Sequence, residues 1–210
     1  METLLIRGLD ALSLTLTEYQ QQQLLDFVAQ LAKWNNVYNF TAITDHEDMV
    51  VKHLLDSLAV AAMIKSGNVA DVGTGPGLPG IPLAIVKPEV QFTLIDTNAK
   101  RVRFLHQLIH ALGLKNAQAV HTRIEKHHPQ PGYDQIISRA FSQIKPMVEL
   151  TLHALADNGE LLAMKGVFPE QEMGELTNME VAITQIQPIK VPFLDAERHL
   201  VVLKKRNISD

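Results

Sequence analysis

The stretch DVGTGPGLPGIPLA, residues 71–84, decides how the rest of this chain is interpreted. Four glycines and two prolines fall within its positions 73–80, directly after a short, mostly apolar run at 69–72. Glycine has no Cβ, so a ligand can approach the backbone closely, and the N-terminus of a following helix offers free N–H groups. The stretch therefore predicts a strand, a glycine-rich turn and a helix, the unit at which open α/β sheets bind nucleotides.

The chain beyond this unit alternates between short apolar runs and helical patterns. We predict helices near 80–87, 98–112 and 143–156, and strands at 68–73, 91–96, 117–122, 133–139 and 159–165. Strict alternation indicates right-handed βαβ units in a doubly wound, mostly parallel sheet. The last two runs, 181–191 and 198–206, leave no room for a crossover helix, so we expect an antiparallel pair at one sheet edge.

The first 65 residues are helical in pattern. Residues 17–36 carry apolar side chains at helical spacing, Thr17 stands where an N-cap would lie, and Gln20 completes a capping box. A second helical pattern covers roughly 46–65. We therefore predict an N-terminal helical cap, 1–66, that forms one compact unit with an α/β domain, 67–210.

Composition limits the class of protein. The 210 residues are 46% hydrophobic and 20% charged, which is ordinary for a globular chain, and there is no cysteine to build a disulfide or a thiolate site. No apolar run approaches the length of a membrane span, and the N-terminus lacks the pattern of a signal peptide, so we expect a cytoplasmic protein. The net charge of −4 argues against strong sequence-independent binding to nucleic acid, although local basic clusters exist at 100–103 and 204–206.

The glycines fit two cofactor patterns. Gly75, Gly77 and Gly80 match G-x-G-x-x-G, and Asp96 lies 21 residues beyond Gly75, as in a dinucleotide fingerprint. Asp71 followed by G-x-G-x-G instead matches class I methyltransferases, which bind S-adenosylmethionine. An acidic Asp71 suits the cationic amino group of that cofactor and does not suit a pyrophosphate. The alternative is a tight βα turn with no ligand.

Segments far from the loop add a more specific resemblance. They are WNNVYNFTAIT (34–44), KHLLDSL (52–58), the glycine loop, IISRAF (136–141) and ERHLVVL (197–203). Over nearly the whole chain this set closely resembles the RsmG (GidB) family of bacterial small-subunit ribosomal RNA guanine-7-methyltransferases. The resemblance implies a seven-stranded, Rossmann-like class I methyltransferase sheet, mostly parallel with an antiparallel C-terminal edge strand, in an S-adenosylmethionine-binding domain at 67–210.

The resemblance also implies an activity and a set of cofactor contacts. The activity is transfer of a methyl group from S-adenosylmethionine to nitrogen 7 of one guanine in 16S rRNA, within the small ribosomal subunit, with S-adenosylhomocysteine as product. The expected cofactor-binding residues are Asp71, Gly73, Gly75, Leu78, Asp96, Ile124, Glu125 and Arg139. Among them, Asp96 closes the second strand, where a carboxylate can accept both ribose hydroxyl hydrogens.

Methyl transfer to this atom needs little acid–base chemistry. Nitrogen 7 of guanine already carries a lone pair, so positioning supplies most of the catalysis and no general base is expected. Arginine can bind guanine oxygen 6 or phosphates, so the catalytic candidates are Arg139, Lys165 and Arg198, each near a strand end. We expect no metal, because His53 and Asp56 share a helical face without a third ligand at useful spacing.

Two other functions fit the same fold. A small-molecule methyltransferase could use the cap to close over a small acceptor, and the acidic balance mildly favours it. A non-catalytic ribosome-assembly or nucleotide-sensing module would retain the loop without methyl transfer.

Overall fold

The computed structural model describes residues 1–206, and a seven-stranded sheet forms the centre of that part of the chain. Its strands are β1 (Asn68–Val72), β2 (Gln91–Asp96), β3 (Ala117–His121), β4 (Tyr133–Ser138), β5 (Leu155–Lys165), β6 (Val181–Pro188) and β7 (His199–Lys205). They lie in the order β3-β2-β1-β4-β5-β7-β6. Strands β1 to β5 are parallel to one another, and β7 runs antiparallel between β5 and β6.

Helices cover the sheet and form the cap. They are α1 (Glu2–Ala11), α2 (Glu18–Tyr38), α3 (His46–Met49), α4 (Asp56–Leu58), α5 (Gly80–Val86), α6 (Ala99–Ala111), α7 (Ile144–Thr151) and α8 (Glu170–Glu175). A π-helical segment, Val50–Leu55, joins α3 to α4. Short 3₁₀ turns lie at Ala61–Met63, Ile124–Lys126 and Leu152–Ala154. The predicted α/β class and helical N-terminal region are therefore confirmed.

The sheet edge agrees with the predicted antiparallel pairing and adds a detail. Strands β6 and β7 pair antiparallel, as expected, but β6 is outermost and the C-terminal strand β7 lies one position inside the edge. The difference follows from burial, because the centre of β7 is fully covered whereas β6 is only partly so. The predicted range 67–210 extends over 207–210, which lie outside the described residues.

The elements after β4 differ in part from the sequence prediction. The helix expected at 143–156 ends at Thr151, and β5 begins at Leu155 instead of 159. The sequence does not predict helix α8, because none of its six residues is buried and it therefore carries no apolar periodicity.

The cap helices follow local signals where those signals exist. The predicted capping box is present: Gln20 N donates to Thr17 Oγ1 over 3.2 Å, and Thr17 N donates to Gln20 Oε1 over 3.1 Å. The helix expected at 46–65 instead contains the π-helical segment and ends at Leu58. A π-helical turn changes which side chains share a face, so a 3.6-residue period does not indicate it.

The cap shares a hydrophobic core with the helices of the sheet. Buried leucines of α1 and α2 belong to the same cluster as Ile81 of α5 and Leu105 of α6. Aromatic rings continue this contact, since Phe104 of α6 lies 5.2 Å from Trp34 and 5.5 Å from Phe40 between ring centroids. Such continuous burial leads us to expect that residues 1–66 and the α/β domain unfold together.

The substitution Phe104→Ala tests that expectation. Removing this fully buried ring should lower the free energy of unfolding by about 3–5 kcal/mol, whereas Val37→Ala at a 68% exposed site should change it by less than about 0.5 kcal/mol. Fluorescence of Trp34, the single tryptophan, and far-UV circular dichroism should report one common urea midpoint. A tryptophan transition at clearly lower urea would contradict the shared core.

Candidate active site

Two cavities open at the carboxyl ends of the parallel strands. The first, which we call the strand-end cavity, has a volume of about 290 Å³ and lies at the ends of β1, β2 and β3, where Gly73, Asp96 and Thr122 line it. The second, the cap cavity, has a volume of about 740 Å³ and lies between the cap and the ends of β4 and β5, where His53, Arg139 and Lys165 line it. This is the edge at which open α/β sheets bind ligands.

Asp96 is the polar centre of the strand-end cavity. Its side chain is buried, and its two oxygens accept N–H groups from Asn98 at 2.7 Å and from Gly75 at 2.9 Å. Arg101 Nη1 lies 3.6 Å from Asp96 Oδ2. A carboxylate has about four acceptor positions. These backbone bonds therefore fix the group and leave capacity for the hydroxyls of a ligand.

Gly73 brings the backbone to the wall of this cavity. Its φ of +70° is in the left-handed region, and a Cβ there would lie 2.6 Å from the Cβ of Ala140. Any larger residue would push the loop into strained geometry and against the segment after β4. Gly75 contributes through its N–H bond to Asp96 and is not part of the cavity wall.

Asp71 lies beneath the glycine loop, away from the strand-end cavity. The side chain is fully buried, and Oδ2 accepts from the hydroxyl of Thr74 at 2.7 Å and from the N–H of Gly80 at 2.8 Å. Its other oxygen has no protein partner among the described residues, and burial raises the pKa of Asp71 to about 6. In the structure Oδ2 of this carboxylate orders the loop, and the expected contact of Asp71 with the cofactor stays a prediction.

The remaining expected cofactor contacts divide between the wall and the core. Ile124 and the exposed Glu125 line the strand-end cavity, as expected of ligand contacts. Leu78 is buried in the core shared with the cap and does not line that cavity. Arg139 lines the cap cavity instead. Sequence reasoning missed Leu150 as a wall residue, because it belongs to a helix whose apolar periodicity already explained it.

The three residues expected to be catalytic line the cap cavity together. Arg139 directly follows β4, Lys165 ends β5, and Arg198 belongs to the segment before β7. Lys165 forms an ion pair of 2.8 Å with Glu172 of α8 and also donates to the carbonyl oxygen of Ser142. The structure therefore brings these side chains to one place, although they are distant in sequence.

Asp56 of the cap lies between the two arginines of this cavity. Arg139 Nη1 donates to Asp56 Oδ2 at 2.9 Å, and Arg198 Nε donates to Asp56 Oδ1 at 2.7 Å. The carboxylate side chain is 3% exposed, whereas those of the arginines are 28% and 29% exposed. Sequence analysis placed Asp56 beside His53 on a helical face and gave no sign of either arginine, because both contacts join elements far apart in the chain.

His53 lines the cap cavity with its imidazole in the neutral form. Burial, with the nearby charge of Arg139, lowers its pKa to about 4. Its Nδ1 lies 3.2 Å from the carbonyl oxygen of Lys52, which can only accept, so Nδ1–H donates. Nε2 is then the acceptor for the hydroxyl of Thr41 at 3.0 Å. Both nitrogens are thus engaged, and the ring is unsuited to proton transfer near neutral pH.

Phe141 borders both cavities. It is half-buried and lines both of them, three residues after β4. A ligand in the strand-end cavity and a planar group in the cap cavity would therefore both lie next to this ring. The cap cavity also carries four cationic side chains, Lys52, Arg139, Lys165 and Arg198, against the two carboxylates of Asp56 and Glu172. The arrangement suits an electron-rich or anionic partner.

Other residues considered from sequence lie elsewhere. Trp34, Tyr38 and Phe40 stack on one another, and Trp34 and Phe40 contact Phe104 at tilted angles, so the three rings pack the cap. Lys100 and Arg103 are exposed on α6, whereas Arg101 and Arg123 reach the rim of the strand-end cavity. Within residues 1–206, no helix is long and apolar enough to cross a membrane.

The fold is shared with solved methyltransferase structures. Mitomycin 7-O-methyltransferase MmcR matches with a TM-score of 0.65 at 14% identity, covering 85% of this chain and 60% of that one. A methyltransferase from Thiobacillus denitrificans, solved in complex with S-adenosyl-L-homocysteine, matches with a TM-score of 0.54 at 11% identity, covering 72% of this chain and 90% of that one. At these identities the likeness is one of fold.

Sequence comparison goes further than the fold. A protein from Alteromonas mediterranea named ribosomal RNA small subunit methyltransferase G is 48% identical over 98% of this chain and 97% of its own length. One of the same name from Photobacterium profundum is 45% identical over 97% of this chain and 98% of its own. The family model GidB, described as rRNA small subunit methyltransferase G, matches residues 20–201. By these matches, the chain belongs to the GidB family of small-subunit ribosomal RNA methyltransferases.

Proposed function

We propose that this protein transfers a methyl group from S-adenosylmethionine to nitrogen 7 of a guanine in 16S rRNA, within the small ribosomal subunit. Family membership supports methylation of small-subunit rRNA. The observation that carries the proposal is that the strand-end and cap cavities are adjacent and share Phe141 as a lining residue, because methyl transfer requires a cofactor and an acceptor side by side.

The residues of the strand-end cavity fit S-adenosylmethionine. Asp96 retains acceptor positions for two ribose hydroxyls, and Ile124 and Leu150 offer apolar surface for a purine ring. Gly73 allows close approach of the ligand to the backbone. When bound, the cofactor supplies an electrophilic methyl group on a sulfonium. The solved relative in fold from Thiobacillus denitrificans holds S-adenosyl-L-homocysteine.

The cap cavity suits a guanine with nitrogen 7 left free. Arg139 and Arg198 can donate to oxygen 6 of the base or to adjacent phosphates, and Lys165 adds a third cation held by Glu172. The face of Phe141 offers a stacking surface for a base taken out of its RNA stack. Because the guanine ring gains positive charge during transfer, this aromatic face also favours the charge that develops. None of these steps moves a proton.

The charge of the protein favours a folded ribonucleoprotein over bare RNA. The net charge is −4, so sequence-independent attraction to phosphate is weak, and the cations lining the cap cavity act locally. Recognition then depends on the shape and position of the target nucleotide. A small ribosomal subunit presents both.

The cofactor site is tested by binding of S-adenosylmethionine to the purified protein. Asp96→Asn removes one of two charged acceptors, and Gly73→Ala places a Cβ against Ala140, so each should weaken binding by at least about tenfold. Asp26→Asn, at an exposed site bonded only to Gln22 of the same helix, is the matched control and should bind as wild type. Isothermal titration calorimetry measures all four proteins. Wild-type protein that fails to bind would contradict the proposal.

The acceptor is tested with a radiolabelled methyl group. Wild-type protein should methylate 30S subunits that lack the modification, with naked 16S rRNA methylated more slowly, and chemical cleavage should map the product to nitrogen 7 of one guanine. Arg139→Ala and Arg198→Ala should each reduce kcat/KM by at least about tenfold, because each removes a charged donor from the cap cavity. Labelling of small metabolites only would support the small-molecule alternative. Label at another atom of the RNA would refute guanine-7 specificity.

The pH profile tests the absence of a general base. His53, with its pKa lowered to about 4, stays neutral above pH 5, and Asp71, with its pKa raised to about 6, is protonated only below that value. The methyl-transfer rate at saturating substrates should therefore be flat from about pH 7 to about pH 9. Single-turnover rates on 30S subunits measure it. A bell-shaped curve centred in this range would show that a proton is transferred.

A further inference from the structure

The cap contributes one charged group to the cap cavity that none of the roles above explains. Asp56 lies in α4, and its carboxylate receives Arg139 of the segment after β4 and Arg198 of the segment before β7. The three residues are separated by 83 and 142 positions in the chain. Each oxygen of the carboxylate serves a different guanidinium, so one buried anion sets the spacing of two cations.

The contacts leave part of each guanidinium available. Arg139 uses Nη1 for Asp56 and for the carbonyl oxygen of Lys52, and Arg198 uses Nε for Asp56 and Nη1 for the carbonyl oxygen of Glu197. Within residues 1–206, Nη2 of neither arginine donates a hydrogen bond to a protein acceptor. Both side chains are nevertheless more than a quarter exposed and line the cap cavity. Each can therefore donate to a ligand without leaving Asp56.

Stability alone gives a weak reason for such a cluster. Burying a carboxylate costs several kcal/mol, and attraction to its partners often returns little more than that cost. The cap is already held to α6 by apolar contacts through Phe104. A long, mobile arginine, in contrast, loses side-chain entropy when it binds a ligand unless it is ordered beforehand. An anion that orders two arginines in advance reduces that loss.

We propose that Asp56 is a positioning residue, which holds Arg139 and Arg198 as a fixed pair for the guanine nucleotide of the RNA acceptor. This inference rests on the proposed function and extends it, since it gives the cap a role in acceptor binding. The paired donors match a ligand with neighbouring oxygens, either oxygen 6 of the base or a phosphate next to it. Asp56 does not contact the strand-end cavity, so the cofactor is unaffected by it.

Two substitutions at residue 56 distinguish the effect of the position of the Asp56 carboxylate from the effect of its charge. Asp56→Glu keeps the negative charge but moves the carboxylate by one methylene, so the arginines remain neutralised while their spacing changes. Asp56→Asn keeps the size of the side chain but turns an N–H donor toward one of the guanidinium groups. Asp26→Asn, an exposed change in the same cap, is the matched control. If Asp56→Asn does not fold, Asp56→Glu still tests the inference, because it keeps the buried negative charge.

The readouts are calorimetric binding of S-adenosylmethionine and steady-state methylation of 30S subunits. We expect both Asp56 variants to bind S-adenosylmethionine within about twofold of wild type and to lose at least about tenfold in kcat/KM for the subunit. In a double-mutant cycle, Asp56→Glu should add less than about twofold to the loss caused by Arg139→Ala and Arg198→Ala together, because it acts only through these residues. Asp26→Asn should behave as wild type in both assays.

Three results would overturn the inference. Near-normal kcat/KM in Asp56→Glu would mean that Asp56 only neutralises the charge of the two arginines and does not position them, whatever the result for Asp56→Asn. Weakened cofactor binding in Asp56→Glu would indicate a general structural role. A full additional loss in the arginine-free background would mean that Asp56 acts on its own. Failure of the wild-type protein to methylate 30S subunits would instead refute the proposed function, so the two failures are distinguishable.

Discussion

Two aspartates at the ends of neighbouring strands hold the glycine loop on which the site depends. Asp71 at the end of β1 binds the hydroxyl of Thr74 and the N–H of Gly80, and Asp96 at the end of β2 binds the N–H of Gly75. A Cβ at Gly80 would overlap Leu94 and lie 2.7 Å from Asp71 Oδ2, so the loop closes only around glycine. The same contacts that fold the loop leave Asp96 at the cavity wall.

This arrangement explains which site residues the sequence could predict. Gly73 and Asp96 follow directly from strand ends and turn chemistry, since parallel strands bring their carboxyl ends to one edge. Asp71 fits the same pattern, but its Oδ2 accepts from a hydroxyl and a backbone N–H of its own loop. A one-dimensional pattern gives the type of a residue at a strand end. It does not show which hydrogen-bond partners the side chain will have.

The fold as a whole could be predicted from the sequence more completely than the contacts in the cap cavity. Strand positions and the capping box depend on local periods and on residues three apart, which one sequence contains. The contacts of Asp56 with Arg139 and Arg198 depend on how the cap docks, and docking is decided by apolar packing around Phe104. Sequence therefore indicated Arg139 and Arg198 as candidates, but not the carboxylate that lies between them.

Positive charge is concentrated in the cap cavity of an otherwise acidic protein, and this distribution fits the proposed reaction. The chain is acidic overall, yet four cations line the cap cavity, and two of them share one buried carboxylate. A uniformly basic surface would attract any RNA, whereas cations confined to a cavity act only on a nucleotide that has already entered it. Because the proposed transfer to nitrogen 7 requires alignment and no proton removal, the ordering of these cations would itself contribute to catalysis of that reaction.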